Sequence, residues 1–135
     1  MLIDTHCHLD MLKDLKGALQ RARENQVNFM VTIGIDLKTS RKAVEIAETY
    51  NFVWATVGVH PHEAKTLTDE VYKELEILAS HPKVVAIGEI GLDFYRNLSP
   101  REIQINAFKR QIKLAQKLGK PIVIHCREAI SETWQ

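Results

Sequence analysis

Four short segments carry side chains of the types that bind metal ions or phosphate, and they lie far apart in the sequence. They are His6-Cys7-His8-Leu9-Asp10, Gly58-Val59-His60-Pro61-His62-Glu63, Gly88-Glu89-Ile90-Gly91-Leu92-Asp93 and His125-Cys126-Arg127-Glu128. Five of the six histidines of the chain fall in these segments. Imidazole and carboxylate ligands suit zinc, manganese or magnesium. If the fold brings the segments together, they form a divalent-metal site.

His6 and His8 are the first candidate metal ligands. Alternate side chains of a β-strand point to the same face, so both imidazoles can reach one ion if this segment is extended. Cys7 is then expected to point to the opposite face, toward covering helices. By the same alternation, Cys126 is expected to face away from the site as buried packing. An isolated H-x-H pattern does not separate a ligand pair from ordinary strand residues, so the other segments must support it.

Glu89 and His125 are the next candidate ligands. Glu89 follows an apolar run and lies between Gly88 and Gly91, which permit close approach of the backbone. A carboxylate can bridge two divalent cations roughly 3.5–4 Å apart, which suits hydrolysis by paired metals. The alternative for Glu89 is a solvated carboxylate in a turn. For His125, which ends an apolar run, the alternative is a core histidine with a hydrogen-bond partner.

Four further polar residues lie beside the candidate ligands. Proline separates His60 from His62 and breaks a strand, so the two rings need not share a face. A loop role and substrate contact both stay open for them. Arg127 suits bidentate contact with a phosphate, and a surface ion pair is the alternative. Asp93 and Arg127 each flank a proposed ligand.

Short apolar runs alternate with helical patterns along the whole chain. The β-branched runs predict strands at 2–4, 29–33, 52–57, 84–87 and 121–124. Apolar residues at helical spacing predict helices at 14–25 and 40–50, one capped by Thr68, and one that begins with a capping box at Ser99. The result is an α/β fold with parallel strands and right-handed connections. The pattern alone leaves open a doubly wound sheet or part of a barrel.

Composition narrows the class of protein. The 135 residues carry a formal net charge of +1, so no overall basic field drives nucleic-acid binding. No apolar run reaches the roughly 18 residues of a membrane span, and the first residues lack the pattern of a signal peptide. We therefore expect a cytoplasmic protein that does not contact a membrane. Two cysteines predict no disulfide framework.

Taken together, the segments resemble the TatD family of metal-dependent deoxyribonucleases. The match rests on the order and spacing of four motifs: Ile3-Asp4-Thr5-His6-Cys7-His8-Leu9-Asp10, Gly58-Val59-His60-Pro61-His62, Gly88-Glu89-Ile90-Gly91-Leu92-Asp93 and Ile124-His125-Cys126-Arg127. The resemblance implies a distorted TIM-type (β/α)8 barrel of the amidohydrolase kind. Residues 1–135 would form the N-terminal part of that single domain, with its first five strands and four helices.

The resemblance also implies an activity and a site. The activity is hydrolysis of DNA phosphodiester bonds by water that divalent metal ions activate, with two ions in the complete enzyme. The positions that match metal ligands of the family are His6, His8, Glu89 and His125, and Glu89 is also the expected catalytic residue. The positions expected to contact the substrate are His60, Asp93 and Arg127.

The chain departs from the family in length. Family members are about twice as long, and their later strands supply another histidine ligand and a catalytic aspartate. Five strands cannot close an eight-stranded barrel, so we expect a C-terminal half or another chain to complete it. Two alternatives stay open from the sequence: a non-catalytic half-barrel, and another amidohydrolase-type enzyme that acts on an ester or amide.

Overall fold

The computed structural model describes all residues, 1–135. Five strands and five helices alternate along the chain. The strands are β1 Leu2–Cys7, β2 Val27–Ile33, β3 Val53–Val57, β4 Val84–Asp93 and β5 Ile122–Arg127. The helices are α1 Leu15–Glu24, α2 Leu37–Thr49, α3 Asp69–Ala79, α4 Arg101–Leu118 and the short α5 Ile130–Trp134. Two 3₁₀ turns, Leu9–Met11 and Pro61–Thr66, follow β1 and β3.

The order of the strands decides between the two architectures. The sheet runs β1-β2-β3-β4-β5, and every neighbouring pair is parallel. Each new strand is therefore added at the same edge of the sheet, whereas in a doubly wound sheet the strand order reverses at a switch point. With crossovers of one hand, this order places all helices on one face of the sheet. The fold is a partial (β/α)8 barrel, and the predicted fold class is confirmed.

The core lies at the centre of the sheet and under its helices. In β4 every residue except Val85 is buried, and β3 is buried apart from Trp54. The edge strands differ: five of the six residues of β1 are exposed, and Ile124 of β5 is 43% exposed. Both edges thus present unpaired backbone and apolar side chains.

Helix ends show where local sequence controls the fold. The side chains of Asp14 and Thr68 accept hydrogen bonds from the first turns of α1 and α3, as caps do. The capping box predicted at Ser99 is wrong: the hydroxyl of Ser99 donates to the backbone oxygen of His62, and Pro100 is the residue before α4. The side chain of Ser99 therefore bonds to a distant segment and does not cap its own helix. Gly119 ends α4 with a φ of 62°, in the left-handed region that favours glycine.

Strand β4 is longer than the apolar run predicts, because it continues through Glu89 to Asp93. Gly91 has a φ of 148°, and a Cβ at this position would collide with the backbone of His125. Glycine at 91 thus allows β4 to approach β5 closely and sets Glu89 beside His125. No helix of this fold has both the length and the apolar character needed to cross a membrane.

Candidate metal centre

One group of metal-ligating atoms joins β1 to β4. His6, His8 and Glu89 each place a ligand atom within 4.8 Å of the others. The Nε2 atom of His6 lies 3.5 Å from Oε2 of Glu89. As the alternation predicts, Cys7 turns away, and its thiol donates to the backbone oxygen of Val31 at 3.4 Å. The two histidines and the carboxylate therefore meet at the carboxyl edge of the sheet.

A second group lies on the other side of Glu89. His60, His62 and His125 also place ligand atoms within 4.8 Å of one another. Oε1 of Glu89 lies 3.3 Å from Nδ1 of His125. Glu89 therefore presents one carboxylate oxygen to each group, which is the arrangement expected of a bridging ligand.

Asp93 contacts two of the three rings in the second group. It is fully buried, and its Oδ2 atom lies 2.8 Å from Nε2 of His62 and 3.0 Å from Nε2 of His125. The backbone N–H of Arg96 donates to its Oδ1 atom at 2.9 Å. Burial would raise the pKa of Asp93, but these hydrogen bonds hold it below its usual range. Asp93 is an anion that orients two imidazoles, and the substrate contact expected for it stays a prediction.

The charges around Glu89 and His125 favour a charged pair. Burial would raise the pKa of Glu89, but the hydrogen bond with His125 and the nearby His60 and His6 lower it. The hydrogen bond to Glu89 raises the pKa of His125 above its ordinary value, against the effect of burial, and the bond to Asp93 adds to the rise. A positive charge is thus stabilised at His125, and a bound cation could take the place of its proton.

His60 differs from the other rings in its hydrogen bonds. Its Nδ1 atom accepts the backbone N–H of His62 at 3.0 Å. Its other nitrogen, Nε2, lies 3.1 Å from Nδ1 of His125. Burial, and then the charge of His125, lower the pKa of His60 to about 4. The low pKa keeps the His60 ring uncharged at neutral pH, and the substrate contact expected for it stays a prediction.

The residues present fit divalent cations. Nδ1 of His8 is buried and has no hydrogen-bond partner, which is costly unless something binds it. The bond from Nε2 of His125 to Asp93 leaves Nδ1, the nitrogen that faces Glu89, as the atom that could hold an ion, as in carboxylate–histidine–metal arrangements. A cavity of about 190 Å³ reaches this donor set, and its lining residues are His8, Met11, Ile35, His60, His62, Glu63 and Glu89. A larger cavity of about 390 Å³, lined by Met1, Arg23, Asn28, Phe29, Asn51 and Phe52, holds no such ligands.

Arg127 lies beside this centre and not within it. It is two residues beyond His125 on β5, so both side chains leave the same face of the strand. Its guanidinium lies 3.8 Å from the centre of the Tyr95 ring, and Tyr95 is 57% exposed. The pair forms a cationic and aromatic surface next to Asp93, whose backbone pairs with that of Arg127.

One feature of the site answers a question that the sequence left open, and another contradicts a sequence-based expectation. His62 contacts Asp93 directly, a contact that the proline between His60 and His62 left open. Cys126 is exposed, so its predicted role as buried packing is wrong. It lies on the edge strand β5, where no further strand covers it.

The sequence matches the family described as TatD related DNase over residues 3–135. The chain belongs to the TatD family. Among curated relatives, it is 41% identical over 135 residues to the "Uncharacterized metal-dependent hydrolase YabD" of Bacillus subtilis, covering 98% of this chain and 53% of that protein. It is 45% identical over 119 residues to the "3'-5' ssDNA/RNA exonuclease TatD" of Musicola paradisiaca, covering 87% of this chain and 45% of that protein.

Solved structures of TatD proteins share the fold. The TatD homologue YJJV of Escherichia coli superimposes with a TM-score of 0.91 at 30% identity, covering 98% of this chain and 53% of that one. A hydrolase of the TatD family from Entamoeba histolytica gives the same TM-score and identity, covering 99% and 52%. The chain thus spans about half the length of the relatives it matches.

Proposed function

We propose that this chain supplies the metal-binding half of a metal-dependent hydrolase that cleaves phosphodiester bonds of DNA. The observation that carries the proposal is the position of Glu89, whose Oε2 faces His6 at 3.5 Å while Oε1 faces His125 at 3.3 Å. Relatives named as metal-dependent hydrolase and as single-stranded DNA and RNA exonuclease support both the reaction class and the substrate class.

The metal ligands proposed are His6, His8, Glu89 and His125. When bound, two divalent ions of zinc, manganese or magnesium would lower the pKa of water and offset charge on the phosphate oxygens. Within the chain, Glu89 contacts both groups of ligands and so fixes their positions relative to each other. Asp93 keeps His125 oriented, and the burial of Asp93 prevents water from competing for that bond.

The substrate-side residues proposed are His60, Asp93 and Arg127. Nε2 of His60 can donate an N–H to a phosphate oxygen once a cation replaces the proton on Nδ1 of His125, because Nδ1 of His60 accepts the backbone N–H of His62. The Arg127 guanidinium supplies a fixed positive charge for a neighbouring phosphate, and Tyr95 offers an aromatic face on which a base can stack. Asp93 acts on substrate through the rings that it orients.

We infer further that activity requires more of the barrel. Strands β1 and β5 are the edge strands of the sheet, and their exposed residues include Leu2, Ile3 and Ile124. A polypeptide that supplies the remaining barrel strands, in the same protein or in another chain, would cover these edges and complete the wall of the site.

A complementation experiment tests the proposal. The chain is titrated with Zn²⁺ and Mn²⁺, and nuclease activity is then measured on end-labelled single-stranded DNA and RNA. Each assay is run with the chain alone and with a polypeptide that carries the remaining half of a TatD barrel. We expect metal binding in both cases and nucleic-acid cleavage with the second half. Failure of the completed barrel to bind a divalent metal would refute the proposal.

The same assay separates the alternative functions. A completed barrel that binds metal and hydrolyses a p-nitrophenyl ester or an amide, while leaving DNA and RNA intact, would show a different hydrolase. A completed barrel that binds metal but cleaves none of these substrates would contradict the proposed function and favour the non-catalytic alternative. Full activity of the 135-residue chain alone would contradict the inferred need for the remaining strands.

A further inference from the structure

Two buried glutamines of α4 contact the segments that carry the site. Gln104 is 0% exposed and Gln111 is 1% exposed, and they lie seven residues apart on the same face of the helix. Leucine or methionine would fill such positions without the cost of burying an amide. Burial of these two amides therefore depends on the hydrogen bonds that they make.

Gln104 pairs with the backbone of Asp93. The N–H of Asp93 donates to Oε1 of Gln104 at 2.8 Å, and Nε2 of Gln104 donates to the carbonyl of Asp93 at 3.1 Å. The same Nε2 also donates to the carbonyl of Ser99 at 2.7 Å, so the loop that follows Asp93 is held as well. One side-chain amide thus satisfies both backbone groups of the residue that orients His62 and His125.

Gln111 makes the same pair of bonds with Val59, the residue before His60. The N–H of Val59 donates to Oε1 of Gln111 at 2.7 Å, and Nε2 of Gln111 donates to the carbonyl of Val59 at 3.0 Å. Its remaining N–H donates to the carbonyl of Ala107 in α4 at 3.3 Å. Val59 lies beyond the end of β3, and β4 has no β3 partner at Asp93, so each amide imitates a neighbouring strand at one residue.

The two held segments meet across His125. Its Nδ1 lies 3.1 Å from His60, and its Nε2 lies 3.0 Å from Asp93. We propose that Gln104 and Gln111 are positioning residues, through which α4 sets the separation of the His60 and Asp93 segments and so the geometry of the metal and phosphate groups. This inference rests on the proposed function for its consequence, and on the hydrogen bonds above for its geometry.

The test uses the 135-residue chain and four variants. Gln104→Met and Gln111→Met keep the volume and remove the hydrogen bonds. Gln116→Met is the matched control, because Gln116 is exposed on the same helix. Leu114→Ala is the second control, since Leu114 is fully buried in α4 and its loss lowers stability without removing a bond to either segment.

Two measurements separate positioning from stability. Amide hydrogen exchange at Val59 and Asp93 should become at least tenfold faster in Gln111→Met and Gln104→Met respectively, relative to amides within β3 and β4. Zn²⁺ affinity should fall by at least tenfold in both variants, and Gln116→Met should leave both quantities unchanged. Leu114→Ala should raise exchange throughout the core and retain Zn²⁺ affinity in the folded fraction.

The outcomes distinguish a positioning role of the two glutamines from a role in stability alone. Wild-type exchange and Zn²⁺ affinity in both methionine variants would overturn the inference, as would an equal loss of affinity in Leu114→Ala. Where a methionine variant does not fold, Gln104→Asn or Gln111→Asn replaces it, because the shorter amide stays neutral but no longer reaches both backbone groups. The same faster exchange and loss of Zn²⁺ affinity are then expected. If the wild-type chain binds no Zn²⁺, its metal-binding role fails, and the exchange rates alone decide the positioning role.

Discussion

Oε1 of Glu89 lies 3.3 Å from Nδ1 of His125, and this contact links the two ligand groups into one centre. The residues are 36 positions apart in the sequence, and strand pairing between β4 and β5 brings them together. Because Glu89 also faces His6, a single carboxylate controls the charge on both sides of the centre. The first prediction follows from this relationship.

Replacing Glu89 with glutamine should weaken metal binding by about 100-fold or more, while the fold is retained. The amide keeps the shape of the side chain but loses the charge that attracts cations. In the metal-free chain, the pKa of His125 should also fall toward its ordinary value, because the hydrogen bond to Glu89 is the main cause of its rise. Zn²⁺ titration and NMR titration of the His125 ring measure the two effects.

The control for this variant is Glu70→Gln, which changes an exposed carboxylate of α3. It should leave both the metal affinity and the pKa of His125 unchanged. Global unfolding of Glu89→Gln, seen by circular dichroism, would instead assign Glu89 a structural role. In the completed enzyme the same substitution should cut nuclease activity by at least 100-fold.

Asp93 gives the second prediction, which concerns stability and pH. Its pKa in the folded chain is below the value of about 3.9 in an unfolded chain. The charged form is therefore favoured by folding, and its contribution is present above pH 3.9 or so and is lost as the pH falls through the folded pKa. Asp93→Asn should lower the free energy of unfolding by about 1–3 kcal/mol at pH 7.

The difference between Asp93→Asn and the wild type should shrink as the pH falls from 5 toward 2. Urea denaturation at several pH values measures it. The control is Asp69→Asn, because Asp69 forms an exposed ion pair with Arg110, and such pairs contribute little. A loss in Asp93→Asn that is the same at every pH would contradict the assigned low pKa.

Part of this site could be predicted from sequence because parallel strands bring their carboxyl ends to one edge. His6, His8 and His125 follow short β-branched runs, and alternation alone gives the direction of Cys7. The apolar pattern does not predict that β4 continues past Glu89, because Gly88 and Gly91 interrupt it.

Other features depend on contacts between distant segments. The hydroxyl of Ser99 binds the backbone of His62 and not its own helix, and no local motif indicates this choice. The exposure of Cys126 depends on what lies beside β5, which spacing within the chain does not encode. Gln104 and Gln111 have the residue type of surface positions, and only the fold shows that they are buried.

The third prediction compares the two cysteines. Burial, and then the charge of Asp4, raise the pKa of Cys7 to about 12, so its thiol is uncharged at pH 8. Cys126 is exposed on β5. Because the thiolate is the nucleophile, iodoacetamide should label Cys126 at least ~100-fold faster than Cys7 in the folded chain. Peptide mass spectrometry measures both rates, and denaturation in urea should remove most of the difference.

Substitution of Cys7 extends the same argument to the metal site. Cys7 packs against the core and points away from His6 and His8, so Cys7→Ala should reduce stability by about 1 kcal/mol and retain Zn²⁺ affinity. A loss of Zn²⁺ affinity in Cys7→Ala would show that the thiol contributes to the site and that the alternation along β1 is broken there.

The last prediction concerns Arg127 and the completed enzyme. A guanidinium that binds phosphate displaces one counterion, so its removal should change the salt dependence of binding as well as the affinity. Arg127→Ala should raise the dissociation constant for single-stranded DNA by about tenfold. The slope of log affinity against log salt should become shallower by about 0.7, the value for one phosphate contact on a single strand.

Arg23→Ala is the control, because Arg23 also lies over an aromatic ring, at 4.6 Å from the centre of Phe52, but borders the cavity that holds no metal ligands. Fluorescence anisotropy at several salt concentrations measures both variants, with Zn²⁺ affinity determined in parallel. An unchanged salt slope in Arg127→Ala would mean that Arg127 only supports Tyr95. Loss of base stacking alone does not change the number of counterions that DNA binding releases. Loss of Zn²⁺ affinity would instead place Arg127 among the groups that hold the metal centre together.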